Sequence, residues 1–298
     1  MVFEIRTAGP EDAVGIAQVW AAAMPHLVKT ARGIEAELRN SKRRVVLIAV
    51  DGSEVVGYGT VFLPHPDAEA PRVRISVQVP PSFRRRGIGG RMAEAICAEA
   101  EKAGSAGLLV VVEDSDESKG FAERRGFTIG RRMSHSRADL SAVPEPVPAP
   151  DDLRVADLDQ VEPEQVWQAV VAVAEGDPSG LSFAPPYDEW LATDWGHPDL
   201  RRDLSVAVLD GDTVVSFVIT AADPERRAIW SNLTGTIPAQ RGRGLAKVVK
   251  SAALARARDA GFALAYTGND AGNAPMLAVN TWLGYTVSSA AWTAEKAI

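Results

Sequence analysis

Cysteine is nearly absent: Cys97 is the one cysteine in 298 residues. A single thiol forms no disulfide within the chain and builds no cysteine-based metal cluster. The shortage fits a reducing, cytosolic location. Cys97 lies in a helical apolar pattern and reads as a packed core thiol rather than a nucleophile. Histidine is scarce too. His26, His65, His135 and His197 show no ligand spacing, so no metal site is expected. No apolar run approaches the ~18 residues needed to span a bilayer. The start of the chain, Met1 to Arg6, lacks the basic-then-apolar order of a signal peptide. Neither membrane insertion nor export is expected. Positive charge is not in excess: 32 Lys and Arg stand against 39 Asp and Glu, a net charge of −7. That balance argues against a nucleic-acid partner, which needs a basic face.

What is present is ordinary globular material, 46 % apolar and 24 % charged, enough for two cores. A repeat organises it. Val45 to Val56 and Leu204 to Val215 are both apolar runs broken by Asp-Gly, the signature of a β-hairpin; the Asp51 and Asp210 turns lie 159 residues apart. Arg84-Arg85-Arg86-Gly87-Ile88-Gly89 and Arg241-Gly242-Arg243-Gly244-Leu245-Ala246 follow, with Gly87 and Gly244 offset by 157. Each precedes a helical apolar pattern, such as Leu245, Val248, Val249, Ala252 and Ala253. Gly104 and Gly261 suit helix C-caps, and a strand follows each. Last come Arg125-Gly126-Phe127 and Leu283-Gly284-Tyr285. Five landmarks in one order argue for a duplicated domain. Val143-Pro144-Glu145-Pro146-Val147-Pro148-Ala149-Pro150 reads as an extended linker. The expected domains are residues 1–141 and 153–298, joined by 142–152.

The loop carries the chemistry. Arg84-x-x-Gly87-x-Gly89 and Arg241-x-x-Gly244-x-Ala246 each join a strand to a helix. Glycine removes the Cβ that blocks a ligand's approach. Unpaired amides at a helix start converge on an anion, and arginine adds charge. The dinucleotide and Walker phosphate loops need Gly-x-Gly-x-x-Gly with a later acid, or Gly-Lys-Ser/Thr; neither occurs here.

At these loops the chain resembles the GNAT superfamily of acyl-CoA-dependent N-acyltransferases, and its tandem layout resembles the two-domain members. The resemblance covers most of both halves and is weakest at the start of each. It implies an α/β (α+β) fold of two tandem GNAT-like domains, each a mixed, mostly antiparallel sheet flanked by helices. The fourth and fifth strands of each sheet would splay into a V. It implies acetyl-CoA, or another acyl-CoA, as cosubstrate, with its pyrophosphate on Arg84, Arg85, Arg86, Gly87, Ile88, Gly89 and Gly90, or on Arg241, Gly242, Arg243, Gly244, Leu245, Ala246 and Lys247. The strands leading in, with Val77 and Val79 or with Thr236 and Ile237, would offer amides to pantetheine and the thioester.

Asn273 matches a family asparagine that has Ser115 in the first copy, which favours the C-terminal half as the catalytic one. The family's acid, a tyrosine, is missing: Ala122 and Asn280 stand there. Thr236, Asn273 and Asn280 are therefore the candidate catalytic residues, and Tyr187, Asp188 and Glu189 the candidate acceptor-binding ones. Glu113, Asp114, Asp188, Glu189 and His197 are candidate proton acceptors that read more simply as solvated or capping groups. Trp190, Trp195, Trp230 and Met276 read as core. The expected activity is acetyl transfer to a primary amine, of a small molecule above all, by direct attack in a ternary complex. The alternative is an acyl-CoA sensor or scaffold without turnover.

Overall fold

The structure, a computed structural model, describes residues 3–40, 42–64, 71–175 and 184–298; His65 lies outside them. The chain forms two compact units, Met1–Ser134 with Ser289–Ile298, and His135–Ser288.

In unit 1 the order is β1 (Glu4–Thr7), α1 (Ala13–Ala23), α2 (Ala31–Asn40), β2 (Arg44–Asp51), β3 (Glu54–Phe62), β4 (Arg72–Gln78), α3 (Ile88–Lys102), β5 (Gly107–Glu113) and α4 (Asp116–Glu123); β6 (Thr128–Asp139) then leads into unit 2. There the chain continues through β7 (Arg154–Asp157), α5 (Pro163–Glu175), α6 (Tyr187–Trp190), β8 (Val206–Asp210), β9 (Thr213–Asp223), β10 (Ala228–Thr236), α7 (Leu245–Asp259), β11 (Leu264–Asp270), α8 (Ala274–Trp282) and β12 (Thr286–Ala297). Within each unit the first four strands pair antiparallel and the fourth pairs parallel with the fifth. The duplication and the mixed sheet are as the sequence led one to expect.

The landmarks have physical causes. α3 buries Ile88, Met92, Ile96 and Ala100, one stripe at four-residue spacing, against the unit 1 sheet. Burial of Ile88, Met92 and Ile96 contributes about 1.5–3 kcal/mol each. Gly104 and Gly261 close α3 and α7 with paired bonds. Ser105 N donates to Ala100 O (3.1 Å) and Gly104 N to Glu101 O (2.9 Å); Phe262 N donates to Ala257 O (3.0 Å) and Gly261 N to Arg258 O (2.9 Å). These are Schellman closures. The late Gly-Phe and Gly-Tyr close α4 and α8 in the same way: Phe127 N donates to Ala122 O (3.2 Å) and Tyr285 N to Asn280 O (3.0 Å).

The domain boundaries are where the structure departs from the sequence expectation. Residues 142–152 lie inside unit 2 rather than between units. Val143 is buried in its core, and Val147 N donates to Ser251 Oγ (2.9 Å). Prolines kept that segment extended, and its valines then found apolar partners. The last strand of each repeat is exchanged. In unit 1 the neighbour of β5 is β12, registered antiparallel from Ala291–Glu113 to Ala297–Gly107. In unit 2 the neighbour of β11 is β6. A sixth strand satisfies the fifth strand's free edge whichever copy supplies it, so the two repeats complete one another.

Removing residues 289–298 is therefore expected to deprotect β5 in hydrogen exchange while β8–β10 keep their protection. Unchanged protection of β5 would mean that β12 is dispensable to unit 1.

Candidate active site

The two loops repeat one another bond for bond. After β4, Pro81–Phe83 form a 3₁₀ turn; after β10, Pro238–Gln240 do. Arg84 N donates to Pro81 O and Arg241 N to Pro238 O, both 3.3 Å. Arg84 Nε donates to Val79 O and Arg241 Nε to Thr236 O, both 3.2 Å. Gly87 (φ 83°) and Gly244 (φ 77°) then precede α3 and α7 in the left-handed region. That conformation is costly for any residue with a Cβ. It turns the chain so that the first amides of the helix face outward as an anion site. The preceding left-handed position is Gly242 (φ 81°) in unit 2 but Arg85 (φ 64°) in unit 1, so only unit 2 has glycine at both. No atom lies within 4 Å of where a Cβ would stand on Gly242 or Gly244. That side of the loop is open.

A V opens beside each loop. Pairing of β4 with β5 stops at Arg74–Leu109, and pairing of β10 with β11 stops at Ser231–Thr267. Past those points each fourth strand stays paired only with its third. In unit 2 the opening coincides with a bulge: the β9–β10 register shifts between Ser231 and Leu233, at exposed Asn232. A bulge bends its strand and re-aims its backbone groups. The β3–β4 register runs from Val61–Ile75 to Tyr58–Gln78 without a shift.

The mouths differ in charge. In unit 1, Arg84 pairs with Glu113 at the end of β5 (3.3 Å), and Arg85 with Glu117 at the start of α4 (3.1 Å). Exposed pairs like these add little stability. Their effect is positional, since they engage the loop's cations and set carboxylates at the entrance. In unit 2 the first turn of α8 has no acidic residue. Lys247 lies over half-exposed Trp282, 5.0 Å from the ring centroid.

The other candidates fall into place around this frame. Thr236 Oγ1 shares a 2.9 Å hydrogen bond with Ser216 Oγ, which also donates to Gly235 O (3.0 Å). Exposed Asn273 caps α8, accepting from Met276 N (3.2 Å), as Ser115 caps α4 by accepting from Ser118 N (3.2 Å). That shared role accounts for the Asn–Ser correspondence. Asn280 is 2 % exposed; its Nδ2 donates to Asn269 Oδ1 (2.6 Å), and its buried Oδ1 has no partner among the described residues. Tyr187 packs between Trp167 and Trp190, at 5.4 and 6.4 Å between centroids. Asp188 and Glu189 occupy the first turn of α6, favourable for carboxylates. Among the proton-acceptor candidates, Asp114 accepts from Trp292 Nε1 (2.8 Å) and Lys119 Nζ (3.0 Å), and His197 Nδ1 from Asp199 N (3.1 Å). Trp190 and Trp195 are core residues, while Trp230 and Met276 are half-buried. Cys97 is half-buried, and burial pushes its thiol above the usual range.

Comparison with known proteins agrees with this geometry. Residues 14–127 match the acetyltransferase (GNAT) family. The chain is similar to mycothiol acetyltransferases: 28 % identical over 264 residues to that of Segniliparus rotundus (85 % of this chain, 95 % of that protein), and 26 % over 254 to that of Catenulispora acidiphila (82 % and 77 %). Its fold matches a tandem GNAT protein from the clavulanic acid biosynthesis pathway, with TM-score 0.74 at 18 % identity (99 % of this chain, 98 % of that one). It also matches a GCN5-related N-acetyltransferase from Sphaerobacter thermophilus, with TM-score 0.70 at 17 % identity (99 % and 95 %). Residues 14–127 are thus matched to the GNAT acetyltransferases, and the chain as a whole has the tandem GNAT fold. That match implies an acyl-CoA cosubstrate. No helix among the described residues is long and apolar enough to cross a membrane, and no described group of His, Cys, Asp and Glu is arranged to hold a metal.

Two groups in unit 2 carry no signal in the sequence. His135 is brought beside β11 by the exchanged half of β6. A Cβ on Gly268, the first residue of β11 past the V's apex, would meet Trp230 Cη2 at 3.1 Å and His135 Cδ2 at 3.2 Å. The two rings thus close over the floor of the V on the face opposite α7. No spacing rule links His135 to Gly268; strand exchange alone does. The second group is Lys250, 1 % exposed on α7.

Burial pushes His135 down to about 4. The unfolded chain then takes up this proton near the usual ~6.5 while the fold resists it. Stability contributed by neutral His135 is present above pH ~6.5 and lost as pH falls towards about 4. Denaturant titrations are expected to show a drop of roughly 2 kcal/mol between pH 7 and 5 that His135→Phe removes. An identical drop in that variant would assign the acid sensitivity elsewhere.

Proposed function

We propose that this enzyme acetylates a primary amine of a small molecule with acetyl-CoA, by direct attack in a ternary complex, at the V of unit 2. One observation carries the choice of site. Both units hold the same loop, but only unit 2 combines two left-handed glycines, a bulged fourth strand and a mouth whose second helix starts without acids. The similarity to mycothiol acetyltransferases supports a small-molecule acceptor.

The chain's own residues supply binding and orientation. Arg241 to Lys247 hold the pyrophosphate through helix amides and cationic side chains. The β10 backbone from Thr234 to Ile237 offers amides along the V, and the Ser216–Thr236 hydroxyl pair holds the strand's inner face. At the bulge, an amide turned out of the ladder can stabilise the charge that develops on the carbonyl oxygen. Acetyl-CoA, when bound, supplies an activated acyl group on a thiolate that leaves readily. Asn273 is a helix cap here, and Asn280, an amide without a titratable proton near neutrality, orients rather than protonates. Unit 1, with its loop cations paired to Glu113 and Glu117, serves the fold.

Gly244→Glu and Gly87→Glu, made separately, test the choice of site. Each puts a carboxylate against the cradle. Gly244→Glu is expected to weaken acetyl-CoA binding in calorimetry by roughly 100-fold or more, the worth of one or two charge-assisted hydrogen bonds, and to abolish amine-dependent release of free CoA. Gly87→Glu should leave both near the parent values. Full activity of folded Gly244→Glu would move the site to unit 1. Binding without amine-dependent release, across an amine panel, would instead make the protein a sensor.

A further inference from the structure

The two units differ most in what fills the closed end of the V, on the face covered by the loop helix and the helix after it. In unit 1 that space is apolar. Ile75, Val110, Ala122 and Phe127 belong to one core, and Ala93 is buried on α3. The corresponding residues in unit 2 are Ser231, Lys250, Thr267, Asn280 and Tyr285, all buried.

These polar groups touch one another in a chain. Ser231 and Thr267 are the last pair before β10 and β11 separate. Tyr285 Oη lies 3.5 Å from Ser231 Oγ. Lys250 Nζ lies over the Tyr285 ring, 5.3 Å from its centroid. Asn280 takes the Tyr285 amide on its carbonyl, and its side chain reaches Asn269 two residues beyond Thr267. No ion pair or hydrogen bond to Lys250 is formed by the described residues, and Asn280 Oδ1 is an orphan acceptor.

Buried polar groups cost several kcal/mol when left without partners. The first copy shows that an apolar filling is compatible with the same backbone. A lysine and an asparagine retained in place of alanines need a partner that the free chain does not contain. Ser231 and Thr267, the last pair before β10 and β11 part, tie this cluster to the apex of the V. A thioester cleaved in that V leaves charge on sulfur, which a buried cation can offset.

We propose that Lys250 donates the proton to the departing CoA sulfur in unit 2, with Asn280 receiving a polar group of the pantetheine arm; this rests on the acyl-CoA reading above. As the amine nitrogen bonds to the acyl carbon, the carbon–sulfur bond breaks and its electron pair goes to sulfur. Lys250 gives that sulfur a proton, the new amide nitrogen loses its extra proton to water, and Lys250 is recharged from solvent. Free thiol and amide are the products, and no other reactant is consumed.

The charge state suits the task. Burial, with no opposite charge to offset it, pushes Lys250 down to about 7, so both forms are populated near neutrality. On the surrounding elements, α8 and β10 carry no titratable side chain, β11 carries Tyr266 and ends in Asp270, α7 itself carries Lys247, and Tyr285, just before β12, has a hydroxyl that burial pushes upward. The donor form of Lys250 exists below about pH 7 and is lost above it. It therefore governs the basic limb of the rate profile.

Lys250→Met, which keeps an unbranched side chain one atom shorter and removes the charge, is the test, with Lys250→Arg beside it. Four readouts are taken: melting temperature, acetyl-CoA binding by calorimetry, the ultraviolet thiolate band of bound CoA against pH, and kcat against pH. The Met variant is expected to melt higher at pH 7, because an unpaired buried cation is gone. Its affinity for acetyl-CoA should stay within about threefold. In the parent, the bound thiol should ionise at lower pH than free CoA; in the variant it should not. The variant's kcat should fall by roughly 10²-fold or more with loss of the basic limb. Unchanged kcat and an unchanged thiolate titration in a folded variant would overturn the proposal, as would loss of acetyl-CoA binding. If the parent itself binds no CoA thioester, the acyl-CoA reading fails first. A parent that turns over beside an indifferent Lys250→Met removes only the role of Lys250.

Discussion

A glycine held at positive φ immediately before a helix is the constraint on which this protein depends. At Gly87 and Gly244 it turns a strand sharply into a helix start and leaves the first amides pointing outward. Everything near the site is indexed from that turn. The preceding arginine reaches back to the strand carbonyl at the same distance in both units. The helix stripe beyond it faces the sheet, and the closing glycine returns the chain for the parallel fifth strand. A side chain with a Cβ at this position would strain the turn and crowd the anion together.

The duplication separates what this backbone requires from what chemistry requires. Both copies keep the loop bonds, the Schellman closures and the early end of strand pairing. They part in side chains that the backbone does not dictate. Unit 1 has acids facing its loop and an apolar plug at the V's end. Unit 2 has a bulge, a neutral helix start and buried polar groups left unpartnered. Geometry common to both is architecture, and polarity present in one alone is what the proposal of a site in unit 2 rests on. The family model matches residues 14–127, in the half opposite to the proposed site, while the mycothiol acetyltransferase relatives align across both halves.

Strand exchange adds a second dependence. Each unit finishes its sheet with the final strand of the other repeat. The second unit thereby gains His135, which the linear order assigns to the first copy.

Local signals were legible in the sequence. Asp-Gly turns, glycine-capped helices, the apolar stripe of α7 and the phosphate loop depend on neighbours a few residues apart, and backbone sterics act at that range. They sufficed for two α/β repeats and for the turn geometry of both loops. Strand partners were not legible, because an edge strand's hydrogen bonds are satisfied by any suitable neighbour. The boundary expected at 142–152 therefore gave way to an exchange at 134–135 and 288–289. Nor could spacing disclose that Lys250 and His135 are buried. Burial without a counter-charge belongs to no sequence position; it arises only when α7, α8 and the splayed strands close around the same space.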